Sequence, residues 1–282
     1  MIKWIIWAVS FVSLYVGVFW LQVYYLKGEK KERTKRFPTV SIIVPAWNEE
    51  AGLWKTIHSI VNLKYPKEKL EVIIVDHGSV DKTAEVANKL IQTYPEYNIR
   101  LIHKTRAKGH VKAHATNEGL KYANGELVAC VDADSVVMED SVRLMVDYFE
   151  EENVGAVIST IKVSQPKNIY EKIQHLEYIF ATFTRSLMSK ADTLHISQGA
   201  LSIYKRNLLS KYGGFDEKNI TEDLEIAMRL KYYGHRILLC KESVSYTRVP
   251  STFMALWDQR VRWFRGFMYN AVKFRKMAFS KK

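Results

Sequence analysis

Four short runs rich in Val and Ile recur through the first half of the chain, each followed by a stretch of helical pattern. This alternation restricts the fold more than any other feature. Val40–Val44 reads as a strand and Glu49–Asn62 as a helix; Val72–Val75 as a strand and Asp81–Gln92 as a helix. Ile99–His103 reads as a strand and Val111–Tyr122 as a helix, then Leu127–Val131 as a strand with a helix near Glu139–Glu151. Continuous apolar runs, rather than alternating ones, mean strands covered on both faces. Strands joined by helices pair in parallel, because a parallel pair needs a long crossover. The expectation is an α/β fold, a Rossmann-like, mostly parallel sheet with helices on both faces. In such sheets ligands bind beyond the carboxyl ends of the strands. The residues there are PAWNE after the first run, DHGSVD after the second and DADS after the fourth. Three strands deliver polar groups to one rim, which makes that rim the candidate site.

The second half is less regular. Ile169–Lys190 reads as a long helix with Tyr, Phe and Leu spread around it, and Ala200–Tyr204 and Arg236–Cys240 read as strands. Thr221 precedes a helix over Glu222–Tyr233. Thr252–Phe279 mixes Trp, Phe and Met with Arg and Lys, which suits an amphipathic helix on a membrane; a core helix with a solvated basic end is the alternative. Cys130 and Cys240 fall in strand-like runs and read as reduced and buried, and no Cys/His spacing suggests zinc.

The net charge of +12 sits at the two ends. Residues 27–36 carry +4 and residues 260–282 carry +8, whereas residues 37–259 sum to −1. A nucleic-acid-binding domain carries its own basic face. Basic ends around a neutral body fit a membrane surface instead. Ile5–Leu26 contains no Asp, Glu, Lys or Arg. As a helix it reaches about 33 Å at ~1.5 Å per residue, enough to cross a bilayer core. Trp4 and Trp7 flank one end and Trp20, Tyr24 and Tyr25 the other, as an interfacial belt does. A signal peptide, the rival reading, has a shorter apolar stretch and ends in small residues rather than YYLKGEKK. The basic cluster after the anchor puts the rest of the chain in the cytoplasm.

Asp132 and Asp134 are separated by one residue, so in extended chain they point the same way. Mg2+ and Mn2+ are held by one or two carboxylates together with substrate phosphates. The alternative is two acids capping the next helix. Asp223 is likewise open to two readings, a catalytic acid or a first-turn acid behind a Thr221 N-cap.

Five motifs in order, VSIIVPAWNE, VDHGSVDKT, CVDADS, ITEDLEIAMRL and QRVRW, resemble the family 2 glycosyltransferases over roughly residues 38–266. The resemblance is to the membrane-bound branch that contains cellulose, hyaluronan and poly-N-acetylglucosamine synthases. It implies a GT-A fold, a nucleotide-sugar donor such as a UDP-sugar, a divalent metal (Mg2+ or Mn2+) and inversion at the anomeric carbon. By the same resemblance Asp134 is the metal ligand, Asp132 lies against the nucleotide-sugar, and Asp223 of the T-E-D motif is the general base. Pro45, Glu49, Asp76, His77 and Lys112 fall on donor-binding positions; Lys112 read alone is a solvated lysine. Gln259, Arg260 and Arg262 are implied to hold the diphosphate, and Glu222 and Trp263 to meet the acceptor.

The implied layout is a transmembrane anchor (1–26), a basic linker (27–37), a GT-A catalytic domain (38–250) and an interfacial helix region (251–282) carrying QRVRW. The implied setting is the cell membrane with the catalytic domain cytoplasmic, a glycan or lipid-linked acceptor, and no nucleic acid. Three departures stand out. His77 replaces one of two family aspartates, one of which contacts uracil; Trp47 replaces a tyrosine; Arg248 stands where relatives often carry an acid. Relatives also continue into membrane helices that build a polymer channel, whereas this sequence stops at Lys282. Either more chain follows, a membrane partner subunit supplies the rest, or there is no channel. Transfer to a polyprenyl phosphate and a non-catalytic, degenerate transferase remain the competing readings.

Overall fold

An eight-stranded sheet organises the computed structural model, which describes residues 2–26, 34–105 and 111–279. Most of the expected basic linker and the last three residues of the tail lie outside the described residues. The four strands read from the sequence are β1 (Val40–Ala46), β2 (Leu70–His77), β3 (Asn98–Lys104) and β4 (Leu127–Cys130). They pair in parallel in the order β3-β2-β1-β4. The sheet continues with β7 (Ser202–Lys205), β6 (Val154–Val163), β8 (Arg236–Thr247) and the two-residue β5 (Val136–Val137). β7 is antiparallel to both its neighbours, while β6 and β8 run parallel. The second half of the sheet is therefore mixed, which the sequence reading did not anticipate. It also left β6 unassigned, although VGAVISTIKV carries the β-branched composition of a strand.

After α1 (Ile2–Tyr25), the helices α2 (Leu53–Val61), α3 (Thr83–Thr93) and α5 (Ser141–Val146) cover one face of the sheet. α4 (Val111–Tyr122), the short α7 (Arg206–Lys211) and α8 (Glu222–Tyr232) cover the other. Alternate residues of one strand feed opposite cores, Ile42 and Val44 into the first and Ile43 into the second, all fully buried. This is the two-sided burial that continuous apolar strands require. The helix expected from Glu49 starts only at Leu53, because residues 48–51 are taken up in a loop.

α6 (Ile169–Lys190) packs on β6 and β8, and α9 (Phe253–Lys273) packs against α8. α6 buries Leu187 and turns Tyr178 toward β6 and β8. Ile169, Ile173, Leu176, Phe180 and Phe183, at spacings of three and four, form one exposed stripe. α9 carries a similar exposed face with Phe253, Trp257, Phe264 and Met268, and only Gly266 and Asn270 of this helix are buried. α1 has a mean hydropathy of 1.9 with none of that window buried, so it is long and apolar enough to cross a membrane. Its last turn meets α6: Tyr24 and Phe183 lie 6.1 Å apart. Lys190 Nζ donates to the carbonyls of Tyr24 (3.0 Å) and Leu26 (2.8 Å). These are carbonyls a helix C-terminus leaves unpaired.

Candidate functional site

The rim opens where β1 and β4 part. The β1–β2 ladder continues to Ala46 and Asp76, whereas the β1–β4 ladder stops at Ile43 and Cys130. Ile43 O accepts from Val131 N at 3.0 Å, so Pro45, two residues on, turns its backbone nitrogen toward the same side, where β4 has already left. A proline is tolerated there because no ladder needs its missing donor. This gap is also where the strand order reverses, the usual ligand crevice of such sheets.

Two loops frame the crevice and are tied to each other. Asn48 has φ 54°, a left-handed conformation that Asn accepts more readily than most residues. Its amide donates to Ser79 Oγ at 2.9 Å and its Oδ1 accepts from Val80 N at 2.9 Å. Glu49 N donates to Thr83 Oγ1 at 2.8 Å, Glu50 N to Asp81 Oδ2 at 3.1 Å, and Lys82 N to Glu50 Oε2 at 3.0 Å. Asp76 and His77 lie beneath, both fully buried. Asp76 accepts from Ser79 N (3.1 Å) and lies 2.8 Å from His103 Nδ1 on β3. His77 turns into α4, with Nε2 2.8 Å from His114 Nδ1 and the rings edge-on at 4.8 Å. It does not stand open on the rim as a base-reading residue would.

Asp132 and Asp134 do not project together as extended chain would place them. The strand ends at Cys130, and the chain turns, with Ser135 N donating to Asp132 O at 2.9 Å. Asp132 faces α4, where Lys112 Nζ lies 2.5 Å from Oδ1 and 3.6 Å from Glu222 Oε1. Burial pulls the Lys112 pKa down, but the surrounding carboxylates of Asp132, Glu222 and Asp223 prevail and hold it well above the ordinary lysine value. The pKa of Glu222 is pushed up to about 7, by burial first and by Asp223 second among the raising causes, against the pull of Lys112. Gly199 makes the ion pair possible. It accepts from Asp132 N at 2.9 Å, and a Cβ there would collide with both the Asp132 carboxylate and Lys112 Nζ.

Asp134 lies on the other side, with Glu49. Gly52 marks their common ground: a Cβ there would be 3.0 Å from Glu49 Oε2 and 3.2 Å from Asp134 Cα. Burial, then the charge of Asp134, raises the Glu49 pKa to about 7. Burial, then Asp132, raises Asp134. Lys112 pulls Asp134 back down first, and Arg248, bonded to Ala51 O at 3.2 Å, pulls down both Asp134 and Glu49. Two oxygen-donor carboxylates that disfavour their own charge in one place fit a hard divalent cation, which would favour the ionised forms. Among the described residues no group of three or more His, Cys, Asp or Glu forms a metal site. A cation here would draw its other ligands from substrate phosphates and water, as Mg2+ commonly does.

α8 and α9 close the site from the far side. Asp223 is half-buried; Oδ1 accepts from Leu224 N at 2.8 Å. Thr221 sits at the N-cap position but its side chain does not cap the helix. Its Oγ1 donates to Asn219 Oδ1 (3.2 Å) and accepts from Asn270 Nδ2 (3.1 Å). Asn219 and Asn270 are buried and bonded to each other at 2.8 Å. Gly266 lies against Thr221 so closely that a Cβ would overlap it. The helix carrying QRVRW is thereby fixed to the loop carrying T-E-D, with Trp263 and Gln259 one and two turns before Gly266. Arg260 bonds Gln259 Oε1 at 2.8 Å, pairs with Glu177 on α6 and lies 4.5 Å over the Trp263 ring. Arg262 is exposed and makes no ion pair among the described residues. A cavity of about 810 Å³ between α8 and the end of α9 contains none of the expected site residues. Its charges are spent on each other, as in the Lys273–Asp216 pair at 2.8 Å.

The family model described as "Glycosyltransferase like family 2" matches residues 38–266. The chain belongs to glycosyltransferase family 2. It is 30% identical over 247 residues to the probable glycosyltransferase YdaM of Bacillus subtilis, covering 86% of this chain and 59% of that one. It is 28% identical over 270 residues to a poly-beta-1,6-N-acetyl-D-glucosamine synthase of Staphylococcus epidermidis, covering 91% and 64%. The chain thus spans less than two thirds of these relatives' length. Among solved structures, the mannosyltransferase PcManGT of Pyrobaculum calidifontis, in complex with GDP-Man and Mn2+, superposes with a TM-score of 0.78 at 26% identity. The match covers 98% of this chain and 76% of that one. S. aureus TarS in complex with UDP-GlcNAc has the same fold, with a TM-score of 0.59 at 21% identity over 76% of this chain and 59% of that one. The glycosyltransferase fold read from the sequence is the observed one.

Proposed function

We propose that the chain is the catalytic part of a membrane-anchored, metal-dependent, inverting glycosyltransferase that moves a sugar from a UDP-sugar to a glycan or lipid-linked acceptor. The observation that carries this is the division of the acidic rim. One carboxylate, Asp132, is paired directly with Lys112, while Asp134 and Glu49 make no ion pair among the described residues and are offset only at longer range, by Arg248 for both and by Lys112 for Asp134. Mg2+ or Mn2+ bound at Asp134 would supply charge neutralisation for a departing diphosphate. Lys112 and Asp132 position the donor, with Pro45 leaving the crevice open above Asp76 and His77. Gln259, Arg260 and Arg262 of α9 face the diphosphate, Arg being suited to paired phosphate oxygens. Trp263 offers the acceptor sugar a flat apolar face beside Glu222. Asp223 takes the proton of the attacking hydroxyl, since an inverting transfer needs a base opposite the leaving group.

α1 is proposed to cross the membrane, with residues from 34 onward on the cytoplasmic side. The exposed stripes of α6 and α9 would then lie at the bilayer surface, which favours an acceptor or product held close to lipid. Calorimetric titration of UDP and of GDP, each with Mn2+ and with EDTA, tests the donor half. We expect UDP binding that depends on Mn2+ and is lost in Asp134→Ala. Full UDP affinity in EDTA removes the metal from the mechanism, and preference for GDP moves the donor class toward that of PcManGT.

A further inference from the structure

Away from the carboxylates, a pocket of about 350 Å³ opens between α6 and the β6–β8 pair. We propose that it binds the headgroup of an anionic glycerophospholipid whose acyl chains remain against the exposed stripe of α6. This rests on the membrane anchoring proposed for α1.

The pocket's rim is basic, with both of its lysines exposed. Lys162 of β6 and Lys241 of β8 line it, and neither forms an ion pair among the described residues. Lys241 is aimed there by a bulge: the β6–β8 register shifts between Ser159, opposite Cys240, and Thr160, opposite Val244. Residues 241–243 are therefore looped out of the ladder, and Thr160 Oγ1 holds the bulge by donating to Lys241 O at 3.0 Å. Bulges re-aim side chains in this way. His175 of α6 also lines the pocket, and its Nδ1 is buried with no hydrogen-bond partner. A buried polar atom of this kind calls for a ligand or water. Two ammonium groups at one recess match a phosphodiester.

The pocket's upper wall is apolar and continuous with the proposed membrane face. Ile179 and Phe183 line the cavity and are also exposed, at 54% and 49%. Phe183 touches Tyr24 at the end of α1, which sets the height of the pocket at the end of the candidate membrane span. A lipid lying beside α1 would meet apolar side chains along its tails and lysines at its phosphate. A soluble anion would gain only the second contact.

The test uses the full chain purified in detergent and titrated with short-chain phosphatidylglycerol, short-chain phosphatidylcholine or inorganic phosphate. Melting temperature and native mass spectrometry provide the readouts. We expect phosphatidylglycerol to raise the melting temperature saturably and to remain bound, with the other two inert. The Lys162→Gln/Lys241→Gln double variant should need about tenfold more lipid. A Lys55→Gln/Lys89→Gln control on α2 and α3 should not. Equal responses to both lipids, an unchanged double variant, or an equal loss in the control would overturn the site. So would reproduction of the effect by inorganic phosphate, which would make it a free-anion site. Alkaline extraction of membranes tests the anchor separately: a chain that washes off refutes the anchoring, and the detergent titration still decides the pocket.

Discussion

Gly199→Ala isolates the rim ion pair from the rest of the fold. The added methyl would sit 2.7 Å from Asp132 Cγ, where carbon atoms pack at roughly 3.5–4.0 Å, so the carboxylate must move by about 1 Å. Overpacking of this kind costs about 1–3 kcal/mol. The low end applies, because the Asp132 and Lys112 side chains are 31% and 38% exposed and have room to swing aside. For a chain of this size about 1 kcal/mol corresponds to a melting shift of roughly 2–4 °C. The chemical effect is larger, since a misplacement of about 1 Å in a positioned group can cost ~10²-fold in rate. The expected outcome is a small melting shift, UDP–Mn2+ affinity down by about tenfold or more, and turnover down by ~10² with any accepted donor. Gly234→Ala is the control, a glycine at φ 86° with nothing within 4 Å of its Cβ, where only stability should suffer. Turnover and affinity of Gly199→Ala within about threefold of the parent would refute a positioning role for the ion pair. A melting loss beyond roughly 10 °C would make Gly199 a fold residue instead.

Two further outcomes follow from the site. The Glu49 pKa lies at about 7 against an ordinary 4.5, so the fold holds a proton there that the unfolded chain releases, and stability falls as pH rises through that window. At about 1.36 kcal/mol per pKa unit, discounted because the group is half exposed, Glu49→Gln in EDTA should gain about 1–2 kcal/mol at pH 8 and little at pH 4.5. Denaturant unfolding at the two pH values reads this, and equal effects at both sink the argument. Asp223→Asn should lower turnover by at least ~10² while leaving UDP affinity within a few fold. Collapse of UDP binding along with the rate would make Asp223 a helix-terminal structural acid.

The parallel half of the sheet was legible because its strands are buried on both faces and so read as unbroken Val and Ile. β6 has similar composition but pairs with β7 and β8, which lie beyond the long α6, so the regular strand–helix alternation of the first half does not point to it. The residues at the rim were legible as types, but their pairing was not. Nothing within the run DADS says that the chain turns after Cys130, sending Asp132 to Lys112 and Asp134 to Glu49. Gly199 and Gly266 gave no signal, because each matters only through what another segment brings within contact distance. Thr221 looked like a helix cap by local sequence, yet Asn270, 49 residues away, claims its hydroxyl. The exposed stripe of α6 was readable from its spacing of three and four, and an even count of aromatics around the helix obscured it.

The hydrogen bonds between the loop after β1 and the loop after β2 have a bearing on how donor preference can change. Five bonds cross between residues 48–50 and 79–83, and each loop supplies both donors and acceptors. A substitution in one loop therefore loses partners that only the other can replace. Residues 46–51 and 76–83 form a single transplantable cassette, and a graft between family members that moves one without the other breaks the lock that keeps both in place. On the donor-binding role proposed for these loops, divergence of nucleotide choice proceeds by paired change across the two segments.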